Sequence, residues 1–176
     1  MPEASGARSS FEDAVTELSA SLGRLAVEAA RAGDLDTLVR AVSAGVPVDM
    51  TSPRGGSLLM LACYYGHVEA VRALLACGAD PDKRDEKGQT PLAGAAFKGL
   101  VEVAEALVQG GASVNAAGAD GRTPLMMAAA FNRTAMVEWL LAHGADPGLR
   151  DGSGLRAVDA AAALGAADAA AVLART

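Results

Sequence analysis

The chain has 176 residues and a formal net charge of −6, and it is 51% hydrophobic but only 3% aromatic. That length holds one domain or one short repeat array, and apolar content made of Ala, Leu and Val suits close-packed helices better than a bulky globular core. The acidic balance argues against a general nucleic-acid binder, which normally carries a basic excess.

Residues 1–9 are expected to be disordered, as polar chain ends commonly are. Ser10-Phe11-Glu12-Asp13 has the Ser-x-x-acid form of a capping box. Phe11, Val15, Leu18, Leu22 and Leu25 follow at spacings of three and four, which predicts an amphipathic lead-in helix. From there one constant period governs the chain. Gly45, Gly78, Gly111 and Gly144 form one lattice; Gly33, Gly66, Gly99, Asn132 and Gly165 a second; Gly55, Gly88, Gly121 and Gly154 a third, all with the same step. Residues 25–49 keep the lattice without a Thr-Pro-Leu start, so 10–50 reads as a lead-in helix plus an N-terminal capping unit.

In the middle unit, Pro91 follows Thr90 at a helix start, where its missing N–H costs nothing. Gly99 ends that helix, since glycine adopts the left-handed closing conformation freely. Val101, Val103, Ala104, Leu107 and Val108 predict a second helix, and Ser, Asn, Gly and Asp in 112–120 predict an extended hairpin loop. Each unit is helix, turn, helix, hairpin. Three full units, 51–83, 84–116 and 117–149, precede a C-terminal capping unit, 150–176. The Ala-rich end, 166–176, is expected to be the softest part.

GQTPLAGAAFKGLVEVAEALVQGGASVNA at 88–116, GRTPLMMAAAFNRTAMVEWLLAHGADP at 121–147 and GGSLLMLACYYGHVEAVRALLACGADP at 55–81 resemble ankyrin repeats. The resemblance covers about residues 22–175 and implies an all-α solenoid whose inner helices and hairpin tips line a concave face used for protein recognition. Neighbouring units share their stability. Three departures stand out. Met60, Ala93, Met126 and Asp159 replace the histidine usual after Thr-Pro-Leu, which shifts the joints between units toward apolar packing. Ser57-Leu58 replaces Thr-Pro and predicts a looser helix start. Asn132 replaces a closing glycine, a substitution the left-handed region tolerates.

Catalytic signatures are missing. No Gly-x-x-x-x-Gly-Lys-Ser/Thr, His-Glu-x-x-His or Gly-x-Ser-x-Gly is present, so the chain is expected not to be an enzyme and to need no cofactor. His67 reads as a structural turn residue and Cys63 as a small packing residue. Cys77 and His143 share one repeat position two units apart, on the order of 20 Å at helix-packing distances, too far for a shared metal. Two cysteines without a secretory leader fit free thiols in a reducing cytoplasm. Ala157 to Ala174 is broken by Asp159 and Asp168 and is no membrane span. Twelve Arg against three Lys fit the coding bias of a high-GC bacterial genome.

The resemblance directs the two residues before each inner-helix glycine toward the groove. Here these are Tyr64-Tyr65, Phe97-Lys98 and Ala130-Phe131, with Ala163-Leu164 in the cap, and they include four of the six aromatics in the chain. They read either as anchors for a partner or as cover for the seams between units. Trp139, in a second helix, reads as core or convex-face packing. The hairpins and groove carry seven cations, Arg54, Lys87, Lys98 and Arg122 among them, against five acids. That excess either reflects ordinary exposed loops or suits a partner with an acidic patch.

The expected site is therefore Arg54, Tyr64, Tyr65, Lys87, Gln89, Phe97, Lys98, Arg122 and Phe131. The expected function is that of a cytoplasmic adaptor, or a regulator or inhibitor of a partner protein. A nucleic-acid binder acting through basic hairpin tips, and more remotely a small enzyme, are the alternatives.

Overall fold

The computed structural model describes the backbone of residues 4–175 and the side chains of residues 12–175. Among the described residues ten helices follow one another: α1 (Ala4–Ala32), α2 (Leu35–Ser43), α3 (Leu58–Tyr65), α4 (Val68–Ala76), α5 (Pro91–Lys98), α6 (Val101–Gln109), α7 (Pro124–Ala130), α8 (Thr134–Ala142), α9 (Ala157–Ala163) and α10 (Ala167–Leu173). The odd-numbered helices pack in succession as an inner layer, and the even-numbered ones as an outer layer. Among the described residues the β contact is confined to one bridge, Thr51 to Ser57. The architecture is the all-α repeat stack expected.

Inner helices are set to length by their ends. The Thr90 hydroxyl accepts from the Ala93 N–H at 3.2 Å and the Thr123 hydroxyl from the Met126 N–H at 3.3 Å. Ser57 does the same for Met60 at 3.1 Å, so α3 starts as firmly as its neighbours. The expected looseness is absent because the hydroxyl, rather than the proline, satisfies the orphan donor. At the other end Gly66, Gly99 and Asn132 take positive φ, 79°, 76° and 53°. In the last unit Asp159, at the position of the missing histidine, accepts from the Arg156 N–H at 3.0 Å and rebuilds a helix start without threonine.

The lead-in helix is longer than its sequence suggests. It begins at Ala4, which places Ser10 inside the helix and not at its cap. Ala4, Ala7 and Arg8 are good helix formers, and Gly6, although unfavourable in a helix interior, does not stop the helix. The expected disorder of 1–9 therefore meets a helical backbone from residue 4 onward, while residues 1–3 lie outside the described residues. Of its apolar stripe, Leu22 packs on the core, whereas Val15, Leu18 and Leu25 are exposed. The Phe11 side chain lies outside the described residues.

The core is built from repeat-equivalent leucines. Leu59, Leu92 and Leu125 lie in the inner layer and Leu74, Leu107 and Leu140 in the outer, all essentially inaccessible to solvent. Polar clasps tie one unit to the next at the same register. Asp49 accepts from the Asp80 N–H at 3.0 Å, Asp82 from the Ser113 N–H at 3.1 Å and Asn115 from the Asp146 N–H at 2.9 Å. The hairpin fingers touch directly: the Ala119 N–H donates to the Gly88 carbonyl at 2.9 Å. A Cβ on Gly88, whose φ is +73°, would stand 2.2 Å from that of Ala119. Only glycine fits there.

Candidate functional site

Because every inner helix ends at the same lattice point, its last turn always presents to the same side. The result is a groove of about 630 Å³ along the concave face. Its floor is apolar, from Met60, Leu61, Phe97 and Met127, and its walls carry Tyr64, Tyr65, Phe131, Arg31, Arg54, Lys87, Gln89 and Arg122, with the acids Asp85 and Glu86 among them. Eight of the nine expected site residues thus line one cavity. Lys98 does not: its ammonium donates to the Tyr64 carbonyl at 2.6 Å and lies 3.9 Å from the centre of the Tyr64 ring. It braces the aromatic from behind.

The aromatics form two pairs and not an even ladder. Tyr64 and Tyr65 meet edge to face at 5.3 Å, and Phe97 and Phe131 at 4.4 Å. Tyr64, Tyr65 and Phe131 remain 48%, 49% and 42% exposed, whereas Phe97 is half-buried and packs on the core. The two sequence readings therefore divide by residue. Phe97 covers a seam, and the other three offer apolar surface to solvent.

Charge is distributed less evenly than a residue count implies. Arg122 is ion-paired with Asp120 at 3.6 Å and with Asp151 at 3.8 Å, and the Asp151 side chain is only 6% exposed. The Arg84 guanidinium donates to the Ala117 carbonyl at 2.8 Å and that of Arg150 to the Gly154 carbonyl at 2.7 Å. Arg133 donates to the Phe97 carbonyl at 3.0 Å. The side chains of Arg31, Arg54 and Lys87 have no such partner among the described residues. Arg31 and Arg54 thus stand at the N-terminal end of the groove as cations without an ion-pair partner among the described residues, with Glu86 in the same lining. A second cavity of about 560 Å³, between α1 and residues 50–54, adjoins it and shares Arg31, Ser52 and Arg54.

Sequence reasoning missed Arg31, although a signal existed. It stands one full repeat period before Tyr64, so the same lattice places it in the groove one unit earlier. Met60 and Met127 have another place than their sequence suggests: Met60 reads there only as a replacement for histidine, and Met127 carries no signal. Their position in the groove follows from the packing of adjacent inner helices and has no motif of its own.

His67 and Trp139 have structural partners. The His67 imidazole is 2.8 Å from the Arg31 carbonyl and joins the first two units. Trp139 is half-buried and stacked on His143 at 3.9 Å. Cys63 is buried, which pushes its thiol pKa well above the ordinary range, and Cys77 is exposed. Among the described residues no group of three or more His, Cys, Asp or Glu is placed to hold a metal ion. None of the described helices is long and apolar enough to cross a membrane.

Two family models match the chain, one described as ankyrin repeats in three copies over residues 26–118 and one as ankyrin repeats in many copies over residues 107–161. No curated protein matches it.

Proposed function

The chain belongs to the ankyrin-repeat family, whose members generally mediate protein–protein interaction, and we propose that it is a non-catalytic adaptor or regulator holding one partner protein in the concave groove. On this reading residues 51–149 supply the binding surface, 10–50 and 150–176 cap the stack, and the setting is the cytoplasm. The observation that carries it is the half exposure of Tyr64, Tyr65 and Phe131 around an apolar floor. Aromatic side chains of this kind bury about 150–250 Å² each on contact. Three of them supply a large share of the ~800 Å² that each partner contributes to a standard interface. Regulation of an enzyme by occlusion is the form of the proposal that fits a groove without chemistry of its own.

Site-specific photocrosslinking in native-host extract tests it. A photoreactive residue at Tyr65 should capture one protein that the same residue at Glu105, on an exposed face of outer helix α6, does not. The captured protein, once purified, should bind the intact chain and lose most of its affinity for a Tyr64→Ala, Phe131→Ala variant. Capture from Glu105 alone would move the site to the outer face.

A further inference from the structure

The four hairpin fingers share one backbone pattern, a closing pair of hydrogen bonds. In the first, the Ser52 N–H donates to the Gly56 carbonyl and the Gly55 N–H to the Ser52 carbonyl, both at 2.8 Å. The pair recurs at Asp85 with Gln89 and Gly88, at Gly118 with Arg122 and Gly121, and at Asp151 with Leu155 and Gly154. In the second finger the Asp85 carboxylate lies inside this loop. It accepts from the Lys87 and Gln89 N–H groups at 2.9 and 2.8 Å. In the fourth the Asp151 carboxylate accepts from the Ser153 and Leu155 N–H groups, both at 2.9 Å. The third finger has Gly118 at this place, and Asp120 takes the Arg122 N–H at 3.0 Å instead.

The first finger differs from all three. Ser52 stands where Asp85 and Asp151 stand, and its hydroxyl does not reach the two N–H groups. The Ser52 oxygen is buried with no hydrogen-bond partner among the described residues, in a residue only 4% exposed. The N–H groups of Arg54 and Gly56, repeat-equivalent to those that bind Asp85, have no acceptor among the described residues. Arg31 and Arg54 line the same wall, and their guanidiniums have no partner among the described residues. Glu28 and Glu86 line the adjoining cavities, and Glu86 packs on Gly55, yet neither acid is ion-paired with either arginine. A polar group buried without a partner is destabilising, so its retention calls for an explanation.

We propose that the first finger is a carboxylate-binding site, in which an Asp or Glu side chain of the partner protein occupies the place that Asp85 and Asp151 fill in their own fingers. The incoming carboxylate accepts from the Arg54 and Gly56 N–H groups and the Ser52 hydroxyl, and pairs with the guanidiniums of Arg54 and Arg31. Charge-assisted bonds of this kind are about twice as strong as neutral ones. The site rests on the groove reading above and gives it a direction: the acidic end of the bound segment lies over the first finger, its apolar part over the aromatics.

The test uses acetyl-Glu-Glu-Glu-Glu-amide titrated into the ¹⁵N-labelled chain. The expected result is a saturable shift of the Ser52, Arg54 and Gly56 amides, weakened about tenfold or more in an Arg31→Gln, Arg54→Gln variant and kept in Arg84→Gln, Arg150→Gln. Ser52→Asp supplies the missing carboxylate from within. It should raise the melting temperature and abolish peptide binding together. Undiminished binding by folded S52D, an equal loss in both arginine pairs, or a shift that does not saturate overturns the site. A phosphoserine peptide bound tenfold more tightly than the glutamate peptide also overturns it as a carboxylate site. Tyr64→Ala, Phe131→Ala should bind the peptide normally. A failed titration beside an intact aromatic dependence of partner capture would remove this site and leave the groove reading in place.

Discussion

The side-chain oxygen of Asn132 accepts from the backbone N–H of Ala169 at 3.0 Å, while its amide nitrogen donates to the Asp168 carboxylate at 3.0 Å. One residue, at φ +53°, therefore closes the inner helix α7 and caps the start of α10, which has no side-chain cap of its own. Glycine at this place would close α7 equally well and cap nothing.

Asn132→Gly should thus loosen the C-terminal end without disturbing the stack. Loss of a cap costs about 1 kcal/mol. Amides of residues 167–173, within the Ala-rich end 166–176 expected to be the softest part, should exchange several-fold faster than in the parent chain. Unchanged exchange there would show that Ala169, Val172 and Leu173, all buried, hold α10 without help.

The aromatics should separate by exposure. Leu107→Ala, at a fully buried position, should cost about 2–5 kcal/mol in unfolding free energy. Phe97→Ala should cost less, about 1–3 kcal/mol, since only part of its ring is covered. Tyr65→Ala should leave stability within about 1 kcal/mol and weaken partner affinity by about 2 kcal/mol if it is an anchor. Denaturant titration and calorimetry on the three variants give the ranking. A Tyr65→Ala protein as unstable as Phe97→Ala would make the exposed aromatics part of the core after all.

The two thiols should react differently. Cys63 is buried, and burial raises its pKa, so it holds neither an accessible sulfur nor a thiolate at neutral pH. Iodoacetamide on the native protein should add one group, at Cys77, and a second only in denaturant. Mass spectrometry of the native adduct reads this directly, and early labelling of Cys63 would mean that α3 opens locally.

Acid should weaken both ends of the stack through two helix starts. Asp34 is held below the usual carboxylate range by the Thr37 hydroxyl and then by the Thr37 N–H, and Asp159 by the Arg156 N–H and then by its guanidinium. Their folded pKa values lie below those of the unfolded chain. The stability they contribute is therefore complete above about pH 4 and is lost as pH falls through the lowered values. An Asp34→Asn, Asp159→Asn variant should show a flatter fall in melting temperature between pH 5 and about pH 2. An unchanged slope would assign acid unfolding to the interior units.

The fold is legible because it is written locally and repeatedly. A glycine or asparagine once in every period, a hydroxyl before each of the three central inner helices and leucines in constant register each encode a short-range event. Repetition multiplies the signal. The same lattice brings eight of nine candidate residues to one groove and, followed one unit back, brings Arg31 there too. The start of α1 is not legible, because a capping box is a permissive pattern and a helix can run straight through it, Gly6 included.

Charge and exposure are decided only in three dimensions. Arg122 and Arg54 are the same residue type on different fingers, yet one is neutralised by Asp151 from the next finger and the other has no partner among the described residues. Phe97 and Phe131 stand at the ends of successive inner helices, yet one lies against the core and the other faces solvent. Repeat periodicity settles where a backbone goes, because helix ends depend on a few adjacent residues. Whether a side chain is paired, covered or free depends on atoms contributed by the neighbouring repeat.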